Sequence, residues 1–173
     1  MFDATAPDFA QQWQRLDWQL LQNSSVHRYN NDEELGRTTT GLARLDYLIH
    51  HFDAGNWQNE DEMHTALAAY LQFPSYYGRN LDALNDALRD VAEYRYGSDP
   101  STTGTVFALA GYEPFTRRSP ELAQAVLEIF AGNARHGLLV GHPMLCLISA
   151  MYDFPAVGAT PVLLSLPPLE ASP

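Results

Sequence analysis

Apolar residues recur along this chain with two different periods, and the change from one to the other marks out the elements. Met63, Leu67, Tyr70 and Leu71 fall on one helical stripe within Asn59–Leu71. Leu81, Leu84, Leu88 and Val91 do the same within Asn80–Val91, and Leu122, Val126, Ile129 and Phe130 between Pro120 and about Ala134. Asn59 and Asn80 are suited to cap their helices, and Ser119 precedes a proline at the favoured first helical position. Three runs read instead as strands: Tyr47–Phe52, "TVFALA" from Thr105 to Ala110, and "MLCLIS" from Met144 to Ser149. The last two are apolar throughout, as in strands buried on both faces. "DAGN" and "GSDPSTTG" supply turn and loop chemistry between them.

The flanks are less periodic. Pro7–Leu16 is read as a short helix, and Asp17–Tyr29 as extended chain with one or two strands. Asn31–Leu45 reads as a helix capped by Asn31, weakened by Thr38–Thr40 and Gly41. Near the end, "PVLLSL" could pair at a sheet edge, and "PPLEASP" reads as a frayed end. The element order is strand, two helices, strand, helix, strand. Strands separated by helices predict an α/β fold with a parallel sheet. The expected organisation is an N-terminal extension over 1–43, a domain over 44–150 and a Pro-rich tail over 151–173.

Charge narrows the function. The 173 residues carry a formal net charge of −11, and all ten basic residues are arginine. A phosphate-binding surface needs a basic footprint, so nucleic acid is a poor partner and a basic protein a good one. Cys146 is the lone cysteine, which rules out an intrachain disulfide and fits a reducing, cytoplasmic setting. "MFDATAPDFAQQW" lacks the basic and apolar regions of a signal peptide. No apolar run approaches the roughly 18 residues of a membrane span.

No cofactor or metal is expected. His50 and His51 are adjacent and point to opposite faces of a strand, and no Cys/His ligand spacing occurs. "GRTTTG" lacks the lysine of a phosphate-binding loop. Asp82 and Asp86 could serve as a catalytic carboxylate pair, but they share one outward face with no evident pocket. Cys146 lies within an apolar strand and reads as buried filler. The chain is read as a binding protein, not an enzyme.

The densest chemistry lies in "FPSYYGRNLDALNDALRD", Phe73–Asp90. Asp82 and Asp86 are one turn apart, opposite the leucine stripe. Asp82 profits from the positive helix end, whereas the like-charge spacing costs a few tenths of a kcal/mol. Tyr76 and Tyr77 offer large contact area at low entropy cost, and Gly78 suggests a positive φ or a close approach. The bland reading is an ordinary solvated acidic face, with Arg79 and Arg89 near enough for weak surface pairs. The sharper reading is a surface waiting for cations.

"YYGRNLDALNDAL" resembles the signature of the barstar family, intracellular inhibitors of barnase-type ribonucleases. The element order from about Arg44 to Ser149 is similar as well. The resemblance implies a three-stranded parallel sheet packed by helices. It implies that this helix and the preceding loop plug a ribonuclease active site, their acids standing in for RNA phosphates. Carried over by motif position, Asp86 would be the central plug, Asp82 the second acid, and Tyr76, Gly78 and Asn80 the adjoining contacts. Glu93 would be a peripheral acid, and Tyr77 matches but could pack inward. Asn85 stands where the family carries a tryptophan, and Gly132 where it carries an acid on the following long helix. The expected partner is a basic secreted or toxin-type ribonuclease; the alternative is an interaction module of the same fold for a different protein.

Overall fold

A computed structural model describes residues 13–157 and 162–165. Along the chain come α1 (Leu16–Leu21), β1 (Val26–Tyr29), α2 (Asp32–Ala43), β2 (Tyr47–Asp53), a 3-10 turn (Ala54–Asn56), α3 (Glu60–Leu71) and α4 (Leu81–Ala92). Then follow β3 (Gly104–Ala110), α5 (Tyr112–Arg118), α6 (Pro120–Leu139), β4 (Met144–Ser149) and β5 (Leu163–Leu164). The five strands form one sheet in the order β2-β3-β4-β1-β5, with every pair parallel.

Helices cover both faces of this sheet. On one side α1 and α2 bring Leu20, Leu35 and Leu42 against Val106, Ala108, Leu145 and Leu147. On the other, α3 to α6 pack Met63, Leu67, Leu84, Leu88, Val126 and Phe130 against Phe107, Leu109, Cys146 and Ile148. Alternate residues of β3 and β4 thus face opposite cores, which is why both strands are apolar throughout. Asp17, in the first turn of α1, is fully buried and accepts from the Arg15 guanidinium at 2.8 and 3.1 Å, the Trp18 N–H, and the Tyr47 hydroxyl at 3.2 Å. That network ties α1 to the start of β2.

The parallel α/β expectation holds, but the sheet has five strands, not three. Two additional strands come from outside the span 44–150. β1 was hidden in its sequence, "VHRY", because two of its four buried residues are polar. His27 is accommodated by the carbonyls of Leu20 and Ser24 and the hydroxyl of Ser165, and Arg28 by Asp153 and the Ala150 carbonyl. The expected edge pairing of "PVLLSL" is present, as Leu163 and Leu164 join β1. Leu16–Leu21 is helical rather than extended, without a side-chain cap to announce it. The proposed helix over Pro7–Leu16 falls mostly outside the described residues. α2 continues through Thr38–Thr40 and Gly41 to Ala43, with two of those threonines buried. α5 was not foreseen, and α6 runs one turn beyond Ala134. Ser119 precedes α6 without a side-chain capping bond.

Burial disfavours the charged form of four histidines. Burial lowers the pKa of His27, His50, His64 and His142 below the ordinary value. Below about pH 6.5 the unfolded chain therefore binds more protons than the folded one, so stability present at neutral pH is lost on acidification. The urea midpoint is expected to fall steadily between about pH 7.5 and pH 5; a flat midpoint over that window would contradict these burial effects.

Candidate protein-binding site

The site is built on α4 and the loop before it. Asn80 caps the helix, its Oδ1 accepting the Ala83 N–H at 2.8 Å. Leu84, Ala87, Leu88, Val91 and Ala92 are buried, and the helix packs along α6. At roughly 100° per residue, this inward stripe sends Asp82, Asn85, Asp86, Arg89 and Glu93 outward. All five are exposed.

The loop is anchored from behind. Tyr77 turns inward, its ring 4.8 Å from Phe73 and its hydroxyl 2.5 Å from His64 Nδ1. His64 is fully buried on α3, with Nε2 3.4 Å from the Glu60 carboxylate. The carboxylate accepts a hydrogen bond from Nε2–H, so Nδ1 is the acceptor for the Tyr77 hydroxyl. Burial raises the Tyr77 pKa and lowers that of His64, which favours the neutral form of each. Arg79 is held at positive φ, +48°, and pairs with Asp61 at 3.1 Å. The turn thus places its strained residue at Arg79; Gly78 lies beside it with ordinary φ, its Cα facing the Ala83 methyl.

These anchors leave Tyr76 84% exposed at the rim of a groove of about 390 Å³. Tyr76, Gly78, Asn80, Ala83, Asp86, Asp90 and Tyr96 are among the residues that line it. The sequence suggested a face without concavity; the structure sets a groove beside Asp86. Asp82 and Asp86 form no hydrogen bond or ion pair among the described residues, because Arg79 is engaged by Asp61 and Arg89 reaches toward Glu93 instead. Glu93 is already partnered: His136 lies 3.1 Å away and Arg95 3.1 Å away, and these contacts hold its carboxyl below the usual range. Asn85 reaches sideways, its Oδ1 accepting from Asn133 Nδ2 on α6 at 3.0 Å.

The candidate residues therefore divide. Tyr76, Gly78, Asn80, Asp82 and Asp86 share one surface, with Asn85 on its α6 side and Glu93 a full helical repeat farther along, in its own ion cluster. Sequence reasoning missed Asp90 and Tyr96. Asp90 was visible as the next step of the Asp82–Asp86 spacing; Tyr96 carried no local signal.

Residues 47–149 match the family model described as Barstar (barnase inhibitor). The chain belongs to the barstar family. The matched span holds β2, β3, β4 and helices α3 to α6, including the whole of the α4 surface. Three of the five parallel strands lie within it; β1 and β5 lie outside it. Comparison with curated proteins finds no match. No helix among the described residues is long and apolar enough to cross a membrane, and no group of three or more His, Cys, Asp or Glu among them is placed to hold a metal ion.

Proposed function

We propose that this barstar-family protein is a cytoplasmic inhibitor of a small basic ribonuclease, either secreted by the producing cell or carried as a toxin domain. Asp86 would meet the cations of the enzyme's active site, with Asp82 beside it. Tyr76, Gly78 and Asn80 would supply the adjoining contacts, and Asn85 and Glu93 the periphery. The observation that carries this reading is the pair of exposed carboxylates left without internal partners on a helix rigidly packed into the core. Two like charges one turn apart cost the free protein a little, and a cationic partner offsets that. In this reading residues 44–150 are the barstar-like domain, extended by 1–43 and 151–173.

A net charge of −11 would steer a basic partner toward this face. Association with a barnase-type ribonuclease, followed by stopped flow, is therefore expected to slow about tenfold or more between roughly 20 and 300 mM salt. A rate independent of salt would contradict charge steering. A second reading keeps the same surface for a basic protein other than a ribonuclease. It is favoured by Asn85, which stands in place of the family's aromatic and is tied to Asn133. Affinity capture from the producing cell distinguishes them: a nuclease supports the first, another basic protein the second.

A further inference from the structure

We infer that the cavity between α6 and the turn joining α1 to β1 binds a small organic acid, its carboxylate held by Arg135 and its apolar body laid over Leu21 and Leu138. The inference goes beyond the inhibitor reading and is independent of it, because this cavity shares no lining residue with the groove beside α4. One of its walls comes from α1 and the turn after it, which precede the span matched by the family.

The charge of this cavity is unusual for the chain. With 21 acidic residues to 10 arginines, arginines here readily find carboxylates, as Arg15, Arg28, Arg79, Arg89, Arg95 and Arg117 do. Arg135 is exposed and forms no hydrogen bond or ion pair among the described residues. Gln22, Asn23 and Ser25 line the same cavity, and their side chains form none either. Polar side chains without internal partners thus meet around a space of about 160 Å³, and no Asp or Glu lines it. All of them can donate hydrogen bonds, and the guanidinium can do nothing else. α1 ends at this cavity, and the carbonyl end of a helix disfavours an anion. That end is already met by a donor: His27 Nε2 lies 3.1 Å from the carbonyl oxygens of both Leu20 and Ser24, so it carries the ring proton.

Charge and shape together select the ligand. A cation is repelled by Arg135, and a neutral molecule leaves the guanidinium fork without its best acceptor. A carboxylate matches that fork and carries the single charge one guanidinium balances. A phosphate brings a second charge, which a chain of net charge −11 penalises. The apolar half is supplied next door. Leu21 and Leu138 also line a second cavity, of about 210 Å³, whose walls include Tyr47 and Pro143. Its ion pair, Arg15 with Asp17, is charge-balanced and calls for no ligand charge of its own. Leu138 is 47% exposed, and Leu139 and Val140 beyond it are exposed too. A chain of methylenes anchored at Arg135 covers Leu138 and enters the second cavity, removing apolar surface from water on both sides.

The test is an NMR titration of the full-length protein with octanoate below its micelle-forming concentration, using acetate, inorganic phosphate, octanol and octylammonium as controls. Saturable shifts at Ser24, Ser25 and Leu138 are expected with octanoate. Binding should be about tenfold weaker with acetate, phosphate or octanol, each of which lacks one half of the recognition, and absent with octylammonium. Arg135→Gln should weaken octanoate about tenfold with the fingerprint spectrum otherwise unchanged, the loss of a charge-assisted contact. Arg117→Gln removes the same charge elsewhere, beside Glu113, and should leave octanoate binding unaltered. Leu138→Glu should abolish binding by placing an acid within the cavity; if that variant does not fold, Arg135→Gln decides alone. An absence of saturable shifts, binding of any control as tight as that of octanoate, or full binding by Arg135→Gln overturns the inference.

Discussion

Replacing Asp86 by alanine is expected to leave folding almost untouched while costing about 2–5 kcal/mol of affinity for a basic ribonuclease. Both halves follow from the position. Asp86 is exposed on α4 and has no partner within the described structure, so its removal orphans nothing inside the protein. It also relieves a like-charge spacing with Asp82, which should make the free protein slightly more stable if it changes at all. In a complex the loss is different in kind: cations desolvated against the helix would be left without their counter-charge. The complex of the family's namesake is itself a reference case for such hot spots, and this magnitude is that of its class. Calorimetric titration beside urea denaturation measures both quantities. An affinity within twofold of the parent would remove Asp86 from the site.

Two residues along the same helix, Leu88→Ala should do the reverse. Leu88 is fully buried in the core beneath α4, so truncation loses transfer energy and leaves a cavity, together about 2–5 kcal/mol. That is a large fraction of the roughly 5–15 kcal/mol that holds a typical domain together. Once corrected for the unfolded fraction, however, affinity should be nearly unchanged, because the exposed carboxylates still stand on a formed helix. Urea midpoints of the two variants make the contrast direct. A loss of stability below about 1 kcal/mol for Leu88→Ala would contradict the packing described here.

The contrast also explains which parts of the molecule could be read from sequence. The cap, inward stripe and outward acids of α4 are local: each is set by helical period from Asn80 onward, and the structure keeps all three. The central strands were equally plain, because burial on both faces demands an unbroken apolar run. β1 was obscured because its polar residues find partners far away, Arg28 in Asp153 and His27 in Ser165. α5 begins after Gly111 at positive φ without a side-chain cap and carries Pro114, so it lacks the usual start signal. Its Arg118 instead donates to the carbonyls of Gly55 and Trp57, a contact no local pattern announces. At the site itself, the acids were legible and their setting was not. The groove needs Tyr96 brought back against α4, and the Asn85–Asn133 bond needs α6 alongside it. Gly78 illustrates the limit on a small scale: the turn was foreseen, but its positive φ falls on Arg79, which Asp61 holds in place.

The most direct measurement is the activity of a small basic ribonuclease of the barnase type, titrated with this protein at low salt. The inhibitor reading predicts activity falling linearly to zero at one equivalent for the parent chain, with Asp86→Ala requiring a large excess. Full activity in the presence of excess parent protein, with the cognate enzyme of the producing cell as substrate for inhibition, would contradict it.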